Sequence, residues 1–312
     1  MIQKGCKVHL ITLKDWSAQE VADVVDSSLE LKESPARYAG AMSGRSLALL
    51  FQKTSTRTRC SGEIGMTQLG GHAVYLDWRA TNFDLANLED EIRVLSLYAD
   101  LMIVRILKHA DVVRSTQASR VPVMNGCCDR YHPLQALADL MTIQEKLGRL
   151  DGVRLTYVGV HNNVCNSLIA AGVKVGMKVT VVAPEINPAA MDEPLYEEAR
   201  RAGLYENAAD LQAALKTADL VYTDTWIDME YFTDPAFESE RERRIQLFKP
   251  YQLNKDLLRG LDVCIMHCLP AHRGYEIDAE LLDDPRSIIF DQAENRLHSQ
   301  KAVILKLADN LP

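Results

Sequence analysis

The sequence predicts an α/β protein of two doubly wound parallel-sheet domains, with the active site in the cleft between them. Three observations predict it. Short apolar runs alternate with helical patterns along the whole chain, an order that gives parallel sheets covered on both faces. A length of 312 residues leaves room for two such domains. The residues that could hold a ligand follow the expected strands, and ligands in such sheets sit beyond the strands' carboxyl ends.

In order, residues 14–32 carry a helical pattern of Trp16, Val21, Val24, Val25, Leu29 and Leu31, with Asp15 or Ser17 as cap. A turn through Ser34-Pro35 leads to the buried strand Leu47–Phe51. The polar stretch to Arg59 follows, then a helix that opens around Cys60–Gly62 and closes at Gly70-Gly71. Ala73–Leu76 is a short strand, and residues 77–88 are irregular and polar. A helix from Glu89 to Tyr98 leads into strand Leu101–Arg105; Val121–Asn125 is the next strand, and Pro133–Leu147 is helical. Gly148-Arg149-Leu150-Asp151-Gly152 is the expected domain joint. Beyond it come strands Arg154–Gly159, Lys178–Ala183, Leu220–Thr223, Val263–Met266 and Ser287–Phe290, with a weaker one around Leu204-Tyr205. Helices are expected at Asn163–Val175, near 190–202 and 207–216, and from Gln292 to Leu311.

Composition narrows the function. The chain is 47% apolar and 25% charged, ordinary for a soluble globular protein. A formal charge of −8 argues against a general nucleic-acid surface, so any basic cluster is local. No apolar run reaches the length of a membrane span, and the N-terminus lacks a signal-peptide core, so no membrane partner is expected. Seven cysteines without a tight framework read as reduced thiols in a cytoplasmic protein. Cys264 and Cys268 could suggest a metal, but Cys264 lies in an apolar strand pattern, and no metal site is expected.

The most informative stretch is Lys53-Thr54-Ser55-Thr56-Arg57-Thr58-Arg59 between strand and helix. Backbone N–H groups at a helix N-terminus favour anions. Ser55, Thr56 and Thr58 add hydroxyls, and a guanidinium fork suits phosphate oxygens. Ser55-Thr56-Arg57-Thr58-Arg59 resembles the carbamoyl-phosphate signature of the aspartate and ornithine carbamoyltransferases. His132-Pro133-Leu134-Gln135 and His267-Cys268-Leu269-Pro270 resemble two further motifs of that family, in the same order, and the last points to the ornithine branch. The resemblance covers almost the whole chain.

What the resemblance implies is carbamoyl transfer from carbamoyl phosphate to L-ornithine, with no cofactor, no metal and no covalent intermediate. It implies a carbamoyl-phosphate-binding domain at 1–147, completed by the C-terminal helix at about 292–312, and an ornithine-binding domain at 148–291. Ser55, Thr56, Arg57 and Arg105 would hold phosphate. His132, Thr58 and Arg105 would donate to the carbonyl oxygen. Gln135 and the backbone carbonyls of Cys268 and Leu269 would accept from the carbamoyl NH₂, and Arg296 would close the phosphate site. Asn163 and Asp224 match the residues that take the ornithine carboxylate and α-ammonium, and Cys268 matches the thiol beside the ornithine side chain. A homotrimer is implied, with the loop at 77–88 (Trp78, Arg79 and Asn82 as candidates) reaching a neighbouring subunit.

The sequence departs from the pattern in two places. Where ornithine enzymes resemble one another in a Ser-Met-Gly run, this chain has Asp228-Met229-Glu230, followed by an acidic stretch to Glu240. Asp228 and Met229 are the expected amine-site residues there. Val160-His161 stands where Asp-Gly is usual. Added acids would favour a more cationic acceptor, so putrescine or a modified ornithine is an alternative. The putrescine enzymes, however, lack the paired asparagines kept here at Asn162-Asn163. Acetylornithine and succinylornithine enzymes carry a proline-rich segment that this chain lacks. A non-catalytic ligand-binding paralogue is the alternative from another class. A dinucleotide enzyme is disfavoured, because Val158-Gly159-Val160-His161 lacks the glycine spacing.

Overall fold

The computed structural model describes residues 8–227, 232 and 234–309. Two compact units emerge: one runs to Lys146 and resumes at Glu294, and the other is Leu147–Ala293.

In the first unit, α1 (Ala18–Glu33) opens on a capping box, in which Ser17 Oγ accepts from Glu20 N at 3.2 Å and the Glu20 carboxylate accepts from Ser17 N at 2.8 Å. Asp15, the other candidate cap, ends a short 3₁₀ turn. β1 (Ser46–Phe51) is buried from Leu47 onward. α2 (Thr56–Gln68) starts earlier than expected: Ser55 is extended and caps it, accepting from Thr58 N at 3.2 Å. The polar stretch is therefore the first turn of the helix and not a loop before it. β2 (His72–Asp77), α3 (Leu88–Leu95), β3 (Leu101–Arg105), α4 (His109–Ala118), β4 (Val123–Asn125) and α5 (Pro133–Leu147) follow. α4 has no counterpart in the sequence expectation, because its buried face of Val112, Ser115 and Thr116 is too polar to show an apolar period. Residues 77–88 hold two short 3₁₀ turns pinned by Trp78 against Phe83, both buried, at 5.2 Å.

The second unit has β5 (Arg154–Val158), α6 (Asn163–Val175), β6 (Lys178–Val182), α7 (Glu193–Arg201), β7 (Tyr205–Asn207), α8 (Leu211–Lys216), β8 (Leu220–Thr223), α9 (Glu238–Phe248) and β9 (Cys264–His267). α10 (Ile289–Ala308) ends the described chain, and from Glu294 onward it belongs to the first unit. One expectation is corrected here. Ser287–Phe290 is not a strand. Only Ser287 bridges Ile265, and the apolar residues Ile289 and Phe290 open α10. A short apolar run fits a strand or a helix segment equally, and here the helix takes it. At the far end of the acidic stretch, Glu238 and Glu240 open α9, and Arg241, Arg243 and Arg244 one turn on pair with them.

All the sheet pairings are parallel, in the order β2-β1-β3-β4 in one unit and β7-β6-β5-β8-β9 in the other. Each sheet has a switch point, where successive crossovers leave in opposite directions: β1/β3 in the first and β5/β8 in the second. The carboxyl ends at those points are in register, Phe51 with Arg105 and Val158 with Thr223. Parallel strands with apolar interiors need covering helices, and α6 lies so close that a Cβ on Gly172 would stand 2.6 Å from Met177 O. Gly172→Ala should therefore destabilise the fold by roughly 1–3 kcal/mol, read as a lower urea midpoint; an unchanged midpoint would contradict this packing.

Candidate active site

The first half-site lies at the β1/β3 switch point. Ser55 Oγ is 3.2 Å from both Thr58 N and Thr58 Oγ1, which shapes the first turn of α2. That turn carries Thr56 and Arg57, at the positive end of the helix dipole. Arg105 ends β3; its Nη1 donates to Gly126 O at 3.3 Å, and its Nε is buried with no hydrogen-bond partner. Gly126 is required for this approach, since a Cβ there would lie 2.9 Å from the Ile103 side chain and 3.3 Å from Val104 O. A buried guanidinium donor without a partner is costly, and an oxyanion placed against it would satisfy it.

His132 precedes α5 and is 7% exposed. Burial first, then the charges of Arg296, Arg105, Lys53 and Arg57, hold its pKa well below the usual histidine range. The ring is neutral at pH 7 and offers one N–H. Arg296 comes in from α10 and is 3% exposed. Its Nη1 donates to Gln135 Oε1 at 2.5 Å and its Nη2 to Thr58 Oγ1 at 3.1 Å. One turn further on, Gln300 Oε1 accepts from Ser61 Oγ at 2.9 Å. The structure thus brings Thr58, Gln135 and Arg296 into one network, and His132 and Arg105 lie in the same field of positive charge.

The second half-site lies at the β5/β8 switch point. Gly159, at φ 125°, takes a conformation few other residues adopt, and leads the chain into Asn162. Asn162 caps α6: its Oδ1 accepts from Val164 N, Cys165 N and the Tyr157 hydroxyl, at 3.0, 3.2 and 3.1 Å. Its Nδ2 donates to Asp224 Oδ2 at 2.8 Å. Cys268 Sγ donates to Asp224 Oδ1 at 3.0 Å. Asn163, the expected carboxylate ligand, is the first residue of α6, next to this cap. Asp228 and Met229 lie outside the described residues.

Leu269 has φ 56°, a left-handed conformation that costs a residue with a Cβ about 1–3 kcal/mol. His267 holds it there. Leu269 N donates to His267 Nδ1 at 2.8 Å, which places the ring proton on Nε2, 3.1 Å from Glu276 Oε1. Gln292 Oε1 accepts from His267 N at 3.0 Å. This scaffold aims the Cys268 and Leu269 carbonyls. Asp224, His267 and Cys268 offer ligand atoms within 4.8 Å of one another. Hydrogen bonds already use both His267 nitrogens, so the cluster is not arranged to take a metal.

The second departure, His161, is accommodated in the core. Its Nε2 donates to Asn166 Oδ1 at 2.9 Å and its ring meets Tyr196 edge-on. Sequence reasoning named His267 only within its motif and Asn162 only as the neighbour of Asn163, and it left out Glu276 and Asp139. Asn162 carried a signal, since an asparagine ahead of a helical pattern is a cap; the partners of the other three are set only by folding.

Residues 8–145 match the family description "Aspartate/ornithine carbamoyltransferase, carbamoyl-P binding domain", and residues 151–307 match "Aspartate/ornithine carbamoyltransferase, Asp/Orn binding domain". The chain belongs to the aspartate/ornithine carbamoyltransferase family. Within it, the chain is 43% identical to the ornithine carbamoyltransferase of Halalkalibacterium halodurans, over 96% of this chain and 94% of that one. The solved ornithine carbamoyltransferase of Pyrococcus furiosus superposes with a TM-score of 0.89 at 40% identity, covering 97% of this chain and 98% of that one. The Thermus thermophilus enzyme superposes with a TM-score of 0.85 at 37% identity, covering 96% and 98%.

The buried histidines set a pH dependence of stability. Burial lowers the pKa of His132, His161, His272 and His298, the last to about 4 from an ordinary 6.5. In the unfolded chain these rings take up protons near pH 6.5, while the folded chain resists, so stability is whole above that pH and falls as pH drops. For His298 the loss runs down to about pH 4. The urea midpoint should fall from pH 7 to pH 5, and His298→Gln should flatten the slope; a parallel slope in the variant would contradict the assignment.

Proposed function

We propose that this chain is an ornithine carbamoyltransferase, moving the carbamoyl group of carbamoyl phosphate to the side-chain amine of L-ornithine to give L-citrulline and phosphate. The observation that carries the reading is the buried, unsatisfied Arg105 Nε beside a neutral His132 in a field of four cations. That arrangement fits a ligand with a dianionic phosphate and a carbonyl oxygen that gains charge in the transition state. The first turn of α2, with Ser55, Thr56 and Arg57, takes the phosphate, and Arg296 closes over it. Arg105, Thr58 and the His132 N–H take the carbonyl oxygen. Gln135 and the Cys268 and Leu269 carbonyls take the NH₂.

On the amine side, Asp224 receives the α-ammonium and Asn163 the carboxylate. We assign Asp228 and Met229 to the same amine site, and Cys268 to the ornithine side chain. The neutral amine attacks the carbonyl carbon, the N–C bond forms, and the C–O bond to phosphate breaks with its electron pair leaving on phosphate. The amine nitrogen then loses its extra proton. No side chain bonds covalently to the carbamoyl group, so positioning and preorganised charge supply the rate.

The arginine-forming direction, a cytoplasmic location and a homotrimer complete the proposal. Support for the location is that Cys60 and Cys165 are in no disulfide. Support for association is the exposure of Leu85, Leu97 and Tyr98 in the first unit. The acids that would favour a more cationic acceptor, Asp228 and Glu230, lie outside the described residues.

Two experiments test this. With carbamoyl phosphate and a panel of ornithine, putrescine, lysine, N-acetylornithine, N-succinylornithine and aspartate, phosphate release should be fastest with ornithine; a preference for putrescine would overturn the acceptor. Arg105→Ala should lower kcat by about 10²–10³-fold or more. Its stability should hold, because the guanidinium is only partly buried and its Nε makes no hydrogen bond. Near-normal turnover in that variant would sink the mechanism.

A further inference from the structure

We infer that Asp139 is a positioning residue for carbamoyl transfer: its buried carboxylate fixes the Gln135 amide with the oxygen turned toward Arg296 and the ligand. The inference deepens the proposed function and rests on it. Asp139 and Gln135 stand four residues apart on α5, so they share a face. Both are enclosed, at 0% and 1% exposure. Gln135 Nε2 donates to Asp139 Oδ1 at 2.8 Å, while Gln135 Oε1 accepts from Arg296 Nη1 at 2.5 Å.

An amide can be placed either way round, and only its neighbours decide. Here Arg296 is one-sided always, and Asp139 whenever its carboxyl is ionised. A guanidinium can only donate and an ionised carboxylate can only accept. With Arg296 on one side and Asp139 on the other, one orientation satisfies both contacts, and the flipped one sets donor against donor and acceptor against acceptor. Arg296 alone would favour the same orientation. The carboxylate adds the restraint that persists when Arg296 turns toward an arriving phosphate.

The chain continues to Thr58. Its Oγ1 accepts from Arg296 Nη2 at 3.1 Å and from Ser55 Oγ at 3.2 Å, which leaves the Thr58 hydroxyl hydrogen to point elsewhere. The series Asp139, Gln135, Arg296, Thr58 is thus directional, and its last member presents a donor where the carbonyl oxygen is assigned. Two of its members, Gln135 and Thr58, serve the carbamoyl end of the ligand, and the phosphate is held mainly by the first turn of α2. Asp139 therefore acts on recognition of the carbamoyl group and much less on recognition of phosphate.

Two variants test this. Asp139→Leu removes the acceptor at similar volume. Asp139→Asn keeps an acceptor oxygen but loses the one-sidedness, because its own amide can turn. For Asp139→Leu the KM for carbamoyl phosphate should rise about 30-fold, with kcat within about 3-fold, as expected for lost uniform binding. Asp139→Asn should fall between it and wild type, a partial rescue. Inhibition by inorganic phosphate and the KM for ornithine should stay within about 2-fold of wild type in both. A folded variant of either kind with a wild-type KM for carbamoyl phosphate would overturn the inference. So would a loss of phosphate inhibition as large as the rise in that KM, which would mark a collapse of the whole anion site. Should Asp139→Leu fail to fold, Asp139→Asn alone decides. A wild-type protein without turnover overturns the functional reading, and this inference with it.

Discussion

The structure of the first half-site depends on gathering positive charge around one buried histidine. Lys53, Arg57, Arg105 and Arg296 all act on one buried histidine. Their mutual repulsion and desolvation weigh against folding. That burden explains the rest of the architecture there. Arg296 is forked between Thr58 and Gln135, and Gln300 reaches Ser61, so that three helices hold the cations in place. A site of this kind is most stable when an anion occupies it, and stability and ligand affinity are linked through the same charges.

The second half-site uses the opposite economy. Asp224 is surrounded by donors, with Asn162, Thr225 N and Cys268 all directed at its two oxygens. It is a satisfied carboxylate whose position is fixed by strand register, one residue beyond the pairing of Thr223 with Val158 and His267. The His267 ring, clamped between Leu269 N and Glu276, makes the adjoining backbone a rigid acceptor array. Preorganisation here comes from hydrogen bonds, where in the first half-site it comes from helix packing against charge.

Much of this was legible in the residues, and the limits are physical. The order of apolar runs and helical patterns revealed the parallel sheets, because each element's period is local. The anion stretch was recognisable from its residue types, yet its helix starts at Thr56, because the cap is made by one side chain, Ser55, that looks like part of the polar run. The run Ser287–Phe290 misled because four apolar or small residues fit either period. The helix α9 was not legible in the acidic stretch, since the pairing of Glu238 and Glu240 with arginines appears only once it winds. His267 is followed two residues later by the backbone it holds, but its carboxylate partner Glu276 comes from beyond the next turn, and that link exists only in three dimensions.

The course of α10 has a consequence for synthesis. The first unit is interrupted by the whole of the second and resumes only at Glu294. On a ribosome, the residues of the anion turn emerge before the second unit, and the arginine that bridges Thr58 and Gln135 emerges only after it. Domains tend to fold as units when their residues become available. The second unit, continuous in sequence, can therefore finish first, while the first waits with its cations short of their C-terminal brace. Until α10 is made, a nascent chain holds the anion turn and Gln135 without the guanidinium that ties them together.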